Sequence, residues 1–122
     1  MFRIRKVHSA QSPEDVKAIG QIHDLMRREY PDQTFEDIQL ISEYLVNPLK
    51  YQFRALLFVA EGFGSKIKGF SLLFHEPALQ FFFLEDLLIA KEHENHGIGE
   101  ALYERVKEEA AAVKARGIFL EL

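Results

Sequence analysis

The chain has 122 residues, 48% of them apolar and 28% charged, and it contains no cysteine. This composition is typical of one globular domain, and it excludes disulfides, thiolate nucleophiles and thiolate-bound zinc. The net charge is −4, with 15 basic side chains scattered among 19 acidic ones, so nucleic acid is not an expected partner.

The N-terminal part of the chain predicts a strand followed by a helix. Residues 2–7 alternate charged and apolar side chains, as in a half-buried edge strand. Ser12 and Pro13 then supply the capping hydroxyl and the first-turn proline of a helix that ends before Pro31. The apolar stripe expected on its buried face comprises Val16, Ile19, Ile22, His23 and Met26.

The middle of the chain predicts a second helix and three strands. Thr34 caps the helix, which ends at Asn47 before a proline. Its apolar stripe comprises Ile38, Ile41 and Leu45. Two extended runs, residues 53–61 and 66–75, are joined by a turn that contains two glycines, which predicts an antiparallel hairpin. Residues 79–89 form the third strand of this meander.

The last part of the chain predicts one helix and one strand. After a polar loop at 91–96, a helix with a period of about 3.6 residues begins at Ile98, and Gly117 ends it as a left-handed C′ residue. Its buried face comprises Ile98, Leu102, Val106, Ala110 and Val113. Residues 118–122 begin a further strand. The order β-α-α-β-β-β-α-β predicts a single α+β domain over residues 1–122, with a mainly antiparallel sheet flanked by helices.

No part of the sequence predicts a membrane partner. The N-terminus lacks the basic and apolar regions of a signal peptide. The longest apolar run, residues 81–90, is interrupted by Glu85 and Asp86 and is too short to span a bilayer. We therefore expect a cytoplasmic protein.

The junction between the third meander strand and the last helix is the most informative segment. It turns through Gly97 and Gly99, so unpaired amides of the first helical turn converge where glycine permits close approach. Such a turn suits a pyrophosphate. It is not the dinucleotide fingerprint, because no third glycine follows, and an antiparallel meander precedes it.

The run Glu94-Asn95-His96-Gly97-Ile98-Gly99 resembles motif A of the GNAT superfamily of N-acetyltransferases, whose pattern is Arg/Gln-x-x-Gly-x-Gly/Ala. The strand Leu84-Glu85-Asp86-Leu87 before it resembles most the branch that acetylates polyamines and related small amines. The predicted order of elements is similar to the family over the whole chain. Residues 47–60 and 101–109 also resemble GNAT modules found at the N-terminus of histone-deacetylase-like amidohydrolases.

The resemblance implies acetyl-CoA as cosubstrate, a small-molecule or peptide amine as acceptor, and no metal. Backbone amides of residues 96–100 would hold the pyrophosphate, and the edge of the strand at 87–89 would pair with the pantetheine. Amides of that edge would also polarise the thioester carbonyl. The implied cofactor-binding residues are Leu87, Leu88, Ile89, Glu94, Asn95, His96, Gly97, Ile98, Gly99 and Glu100.

Two departures from the family pattern affect these expectations. Glu94 stands where the family uses Arg or Gln, and Glu92 and Glu100 flank it, so the loop presents negative charge to an anionic ligand. The family fold also continues with a further helix and strands, which usually supply a tyrosine general acid. We therefore expect this fold to be incomplete at its C-terminus, with the remainder supplied by a longer natural protein or by a second chain, as in a homodimer.

Glu85 and Asp86 are the candidate catalytic residues. Neighbouring strand residues face opposite sides, so at least one of the two carboxylates would face protein or a cleft. Deprotonating an amine with a lysine-like pKa at pH 7 costs roughly 4 kcal/mol, which a base helps to offset. We predict Glu85 as that base, acting through a water. The alternative, that both acids are hydrogen-bonded at a bulge or strand end, explains them equally well.

Other side chains have simpler interpretations. His93 and His96 lack the spacing and the third ligand of a metal site, so they are expected to be solvated. His75 is expected at the surface rather than in an acceptor pocket. The run 81–83, three phenylalanines, is expected to pack mainly in the core, although only one face of a strand can do so.

Two hypotheses follow from the sequence. The first is an N-acetyltransferase that moves an acetyl group from acetyl-CoA to a primary amine in a ternary complex. The second is a non-catalytic GNAT-like module that binds CoA or mediates assembly. The strand and the glycine turn favour the enzyme, whereas Glu94 and the incomplete fold favour the module.

Overall fold

The computed structural model describes residues 1–46, 50–51 and 53–120, and it confirms the predicted order of elements. Two helices follow the first strand, and a third helix separates the last two strands. The strands are β1 (Arg3–Val7), β2 (Arg54–Glu61), β3 (Ile67–Glu76), β4 (Phe81–Ile89) and β5 (Gly117–Leu120). The helices are α1 (Pro13–Glu29), α2 (Phe35–Val46) and α3 (Ile98–Ala112).

The five strands form one mixed sheet in the order β1-β2-β3-β4-β5. The first four are antiparallel neighbours, and β5 runs parallel to β4. Helices α1 and α2 pack on one face of the sheet and α3 packs on the other, so each face has its own apolar core. None of the helices in the described ranges is long and apolar enough to cross a membrane.

The start signals of α1 and α2 are confirmed. The Ser12 hydroxyl accepts a hydrogen bond from the amide of Asp15 at 3.2 Å, which caps α1. The Thr34 hydroxyl accepts from the amide of Asp37 at 3.2 Å, and the Asp37 carboxylate accepts from the amide of Thr34 at 3.4 Å. Both helices therefore begin where their capping residues predict, because a cap needs only a contact across three positions.

The end of α3 differs from the prediction. The helix ends at Ala112, and Lys114 rather than Gly117 takes the left-handed C′ position, with φ of 55°. The amide of Lys114 bonds the carbonyl of Ala111, and the amide of Ala115 bonds that of Ala110, which is the Schellman pattern. Gly117 instead begins β5. Glycine suits position 117 for a steric reason, because a Cβ there would lie 3.2 Å from the ring of Phe81.

Two predicted core positions also differ. Val113, beyond the last turn of α3, is 49% exposed, and Val16 in α1 is 50% exposed. Both lie at the margin of the apolar stripe, where the helix surface already turns to solvent. The remaining members of the two stripes are buried. The predicted end of α2 at Asn47 and the last two residues of the predicted final strand lie outside the described residues.

Candidate functional site

The N-terminus of α3 carries unpaired backbone amides. Gly97 occupies the N-cap with φ of 79° and ψ of 7°, and it supplies no side-chain cap. Asn95 is also left-handed, with φ of 67°. Among the described residues, no side chain or carbonyl accepts a hydrogen bond from the amides of residues 95–100. These amides therefore converge at the positive end of the helix dipole, as in an anion-binding site.

A groove of about 330 Å³ separates this turn from the end of β4. Its lining includes His93 together with seven of the residues predicted to bind the cofactor: Ile89, Glu94, Asn95, Gly97, Ile98, Gly99 and Glu100. A Cβ added at Gly97 would meet no atom within 4 Å, and one at Gly99 would lie 3.9 Å from the Ile89 side chain. The glycines thus leave open space in the groove. The remaining predicted residues, Leu87, Leu88 and His96, are not part of this lining.

The second half of β4 pairs with β3 alone among the described residues. The described part of β5 pairs with Phe81 to Leu84, and we call the side of residues 85–89 that faces away from β3 the open edge of β4. The amide of Ala90 bonds the carbonyl of Lys68 at 2.8 Å, which sets the phase of the ladder with β3. In an antiparallel pair the outward and inward groups alternate, so the polar backbone groups of Leu87 and Ile89 point to the open edge. Those of Leu88 point to β3.

A β-bulge in β4 lies at Glu85. Asp86 is opposite Leu72 and Leu84 is opposite Leu73, so Glu85 is the extra residue between two regular stretches of pairing. A bulge breaks the alternation of side chains along a strand. The alternation predicted for Glu85 and Asp86 is therefore interrupted at this point. The Asp86 carboxylate faces protein, as predicted for at least one of the two acids, and it meets Tyr30 on the α1 and α2 face.

Asp86 is held against the end of α1. Its carboxylate accepts a hydrogen bond of 3.0 Å from the hydroxyl of Tyr30, the C-cap residue of that helix. Burial raises the pKa of Asp86, although the hydrogen bonds from Tyr30 and from the backbone of Leu87 act in the opposite direction. Burial and the neighbouring Asp86 together raise the pKa of Tyr30 to about 12. Tyr30 therefore stays protonated and donates to Asp86.

Glu85 lies in a different environment from its neighbour. It is exposed, and it approaches Tyr44 of α2 closely enough to affect its ionisation. Burial, then Tyr51, then Glu85 raise the pKa of the Tyr44 hydroxyl. The two carboxylates thus differ in burial, since Asp86 is partly buried and Glu85 is exposed.

The acidic loop is partly neutralised. Glu92 forms an ion pair of 3.1 Å with Arg28 at the end of α1, whereas Glu94 and Glu100 are exposed. Burial and the positive charges of Lys68 and Lys66 lower the pKa of His93, so His93 is neutral at pH 7. His93 in the groove is therefore influenced by Lys68 of β3 and by Lys66 just before that strand, while Glu94 and Glu100 line the groove near the helix.

The other candidate side chains lie away from the carboxylates. Phe82 is buried under α3, whereas Phe81 and Phe83 lie on the opposite face and Phe83 is 39% exposed. His75 contacts the Phe82 ring, with centroids 4.6 Å apart, and therefore lies on the α3 face. Sequence reasoning did not identify Tyr30 or Tyr44 as part of this site. No local pattern marks them, because each meets β4 only in the folded chain.

Most of the chain matches one known protein family. The sequence profile of the acetyltransferase (GNAT) family matches residues 19–122, so the chain belongs to the GNAT family, as the motif A resemblance predicted. No curated protein sequence matches the chain. The resemblances to the polyamine branch and to the amidohydrolase fusion module stay predictions.

Solved structures share the fold at low sequence identity. An aminoglycoside 6'-N-acetyltransferase in complex with coenzyme A has a TM-score of 0.75 at 19% identity; the match covers 97% of this chain and 60% of that one. AAC(6')-Iy in complex with the bisubstrate analogue CoA-S-monomethyl-acetylneamine has a TM-score of 0.75 at 13% identity, with coverages of 100% and 80%. A GNAT acetyltransferase from Staphylococcus aureus Mu50 has a TM-score of 0.72 at 19% identity, with coverages of 98% and 74%.

Proposed function

We propose that this protein transfers an acetyl group from acetyl-CoA to a primary amine. The observation that carries the proposal is the uncapped N-terminus of α3, whose unpaired amides border a groove that reaches Ile89 at the end of β4. Residues 85–89 of β4, which pair with β3 alone in the described part of the chain, lead into this groove. A ligand with an anionic diphosphate and an amide-containing arm would satisfy both.

The diphosphate fits the turn at residues 95–100. Unpaired amides and the helix dipole attract negative charge, and glycine at 97 and 99 lets oxygen atoms approach the backbone. Hydrogen bonds from backbone amides to a charged group are worth about 1.5–3 kcal/mol each. Several such bonds offset the repulsion from Glu94 and Glu100, which are exposed and therefore well screened.

The pantetheine arm fits the open edge of β4. Its amides would pair with the outward backbone groups of Leu87 and Ile89, in the manner of an added strand. The thioester carbonyl would then lie near the bulge, where an amide of β4 can stabilise the charge that its oxygen gains. The Leu87 amide also interacts with Asp86. We therefore assign most of the pairing to Ile89.

The acceptor amine would approach from the α1 and α2 face, where Glu85 and Asp86 lie. Glu85 is the proposed base, because it is exposed and can take the ammonium proton through a water. Asp86 already accepts hydrogen bonds, so its proposed role is to attract and orient the ammonium group. The neutral nitrogen then attacks the thioester carbonyl, the C–S bond breaks, and CoA leaves as a thiolate that takes up a proton.

A non-catalytic module remains the second candidate. The exposed acids Glu94 and Glu100 border the proposed diphosphate position, where they weaken binding of a polyanion. A Glu94→Gln variant should therefore bind acetyl-CoA several-fold more tightly than the wild type.

Two measurements test the proposal. Isothermal titration with acetyl-CoA should show saturable binding, and a thiol reagent should detect CoA release in the presence of primary amines. The protein has no cysteine, so the reagent has no background reaction with it. Glu85→Gln should lower the rate of CoA release at least tenfold with little change in acetyl-CoA affinity, while Glu108→Gln on the far side of α3 should change neither. Binding without CoA release from any amine would support a CoA-binding module, and absence of binding would refute the enzyme and leave only a module that mediates assembly.

A further inference from the structure

Four aromatic rings form a half-exposed group beside the carboxylates. We call Tyr44, Tyr51, Phe53 and Phe74 the aromatic cluster. Tyr44 contacts the other three rings with centroids 4.8 to 5.5 Å apart, and Phe53 lies 4.1 Å from Phe74. None of the four is fully buried. Large aromatic rings that contact each other and still face solvent are typical of binding surfaces.

The aromatic cluster lies on the same face of the sheet as the candidate acids. Phe74 packs against the core between the sheet and the helices α1 and α2, where Asp86 meets Tyr30. Phe74 of β3 lies two residues from Leu72, the register partner of Asp86. Glu85 is near enough to Tyr44 to contribute, after burial and Tyr51, to the raised pKa of its hydroxyl. The register of β3 and β4 therefore places the rings beside the carboxylates on one face, within the span of a single small molecule.

The acidic side chains next to the aromatic cluster differ in how their charge is used. Glu43 is ion-paired with Lys50 and hydrogen-bonded to Tyr51, so its charge is compensated. We assign the cationic ligand to Glu85, which is exposed beside the aromatic cluster, and to Asp86, which is partly buried next to Tyr30. This arrangement suits one ammonium group. A polycation would bring further charges against Lys50 and the apolar rings, where they lose hydration without gaining partners.

We propose that the acceptor is a monoamine in which a short linker joins the primary amine to an aromatic or planar apolar body. This inference rests on the proposed function and specifies its acceptor. The flat body lies against the aromatic cluster, and the linker places the nitrogen at Glu85 and Asp86. The preference differs from that expected of a polyamine acetyltransferase.

Direct binding tests this assignment without turnover. Saturation-transfer NMR and calorimetry on the whole chain, without acetyl-CoA, would compare phenethylamine, n-butylamine and spermidine. Phenethylamine should bind at least tenfold more tightly than n-butylamine, and spermidine should bind no more tightly than phenethylamine. The reverse order, or no binding of any amine, overturns the assignment. The binding experiment contains no acetyl-CoA, so its outcome does not depend on turnover. If phenethylamine binds as expected but no acetyl transfer is detected, the proposed function is refuted and the binding preference still stands.

Variants identify the surface that binds. Tyr44→Leu and Phe53→Leu each keep an apolar side chain and remove a ring, so each should weaken phenethylamine binding at least fivefold and leave n-butylamine unchanged. Phe63→Leu is the matched control, since Phe63 is fully exposed in the β2–β3 turn. Two independent ring variants guard against a folding defect in one. If both variants bind phenethylamine normally, or if they convert a dimer to a monomer in light scattering, the aromatic cluster is not the acceptor surface.

Discussion

Replacement of Gly99 by alanine separates a structural from a ligand-binding role of the glycine turn. Gly99 is the second residue of α3, and its φ is not in the left-handed region. An added Cβ would lie 3.9 Å from the Ile89 side chain, which is an ordinary van der Waals contact. Because alanine is favoured over glycine in helices by about 0.5–1 kcal/mol, Gly99→Ala should be neutral or stabilising in the free protein. The melting temperature should rise by about 2–4 °C.

The same Cβ should harm cofactor binding. It would project into the groove between β4 and α3, where the proposed diphosphate approaches the backbone. Displacing a phosphate from one charge-assisted hydrogen bond costs about 1.5–3 kcal/mol. Because 1.4 kcal/mol corresponds to a factor of ten, the affinity for acetyl-CoA should fall about tenfold to a hundredfold. Calorimetry with acetyl-CoA and thermal unfolding on the same samples would measure both effects.

A second glycine supplies the control. Gly20 lies within α1, is exposed, and would place a Cβ in open space. Gly20→Ala should therefore give a similar or larger gain in stability with no change in acetyl-CoA affinity. If Gly99→Ala is folded, stabilised and binds acetyl-CoA as tightly as the wild type, the phosphates do not approach this turn and the site is wrongly placed.

Three further changes probe the fold and the carboxylates. Asp15→Asn removes a buried carboxylate that pairs with Arg5 of β1. The free energy of unfolding in urea at pH 7 should fall by about 3 kcal/mol. Burial raises the pKa of Asp15, but its hydrogen bonds outweigh burial, and the pKa in the folded protein lies below the ordinary value. The ionised Asp15 carboxylate therefore stabilises the fold at neutral pH, and this stabilisation is lost as the pH falls below about 3.9. The difference in unfolding free energy between Asp15→Asn and the wild type should accordingly be smaller at pH 3 than at pH 7. Gly69→Ala would place a Cβ 2.9 Å from the Leu88 carbonyl oxygen, and unfolding should show a loss of about 1–3 kcal/mol. Tyr30→Phe removes a hydrogen bond that lowers the pKa of Asp86, so the acidic limb of the pH profile of CoA release should move to higher pH; an unmoved limb would show that Asp86 does not control the reaction.

Helix starts and the order of elements were predictable because their signals are local. Ser12 and Thr34 bond amides three residues away, so the sequence around each cap contains the whole interaction. The end of α3 was not predictable in the same way. A C-terminal cap needs a left-handed residue, which favours glycine, yet Lys114 adopts it because the chain must turn before Gly117 meets Phe81.

The candidate site was only partly predictable. The glycine turn and the strand before it are contiguous in the sequence, and the structure places Ile89, Gly97 and Gly99 in the lining of one groove. The orientation of the acids did not follow. It depends on the bulge at Glu85, and a bulge arises from the register between β3 and β4 rather than from either strand alone.

The sequence by itself determined the elements, their order, the family and the position of the glycine turn, because periodicity, caps and turn residues act over a few positions. Only the tertiary structure decided which side chains surround the acids. Tyr30 and Asp86 are 56 residues apart in the chain and 3.0 Å apart in space, and the rings that meet at Tyr44 come from a helix, a connecting segment and a strand. Such contacts depend on how distant segments pack, and no short pattern of residues encodes them.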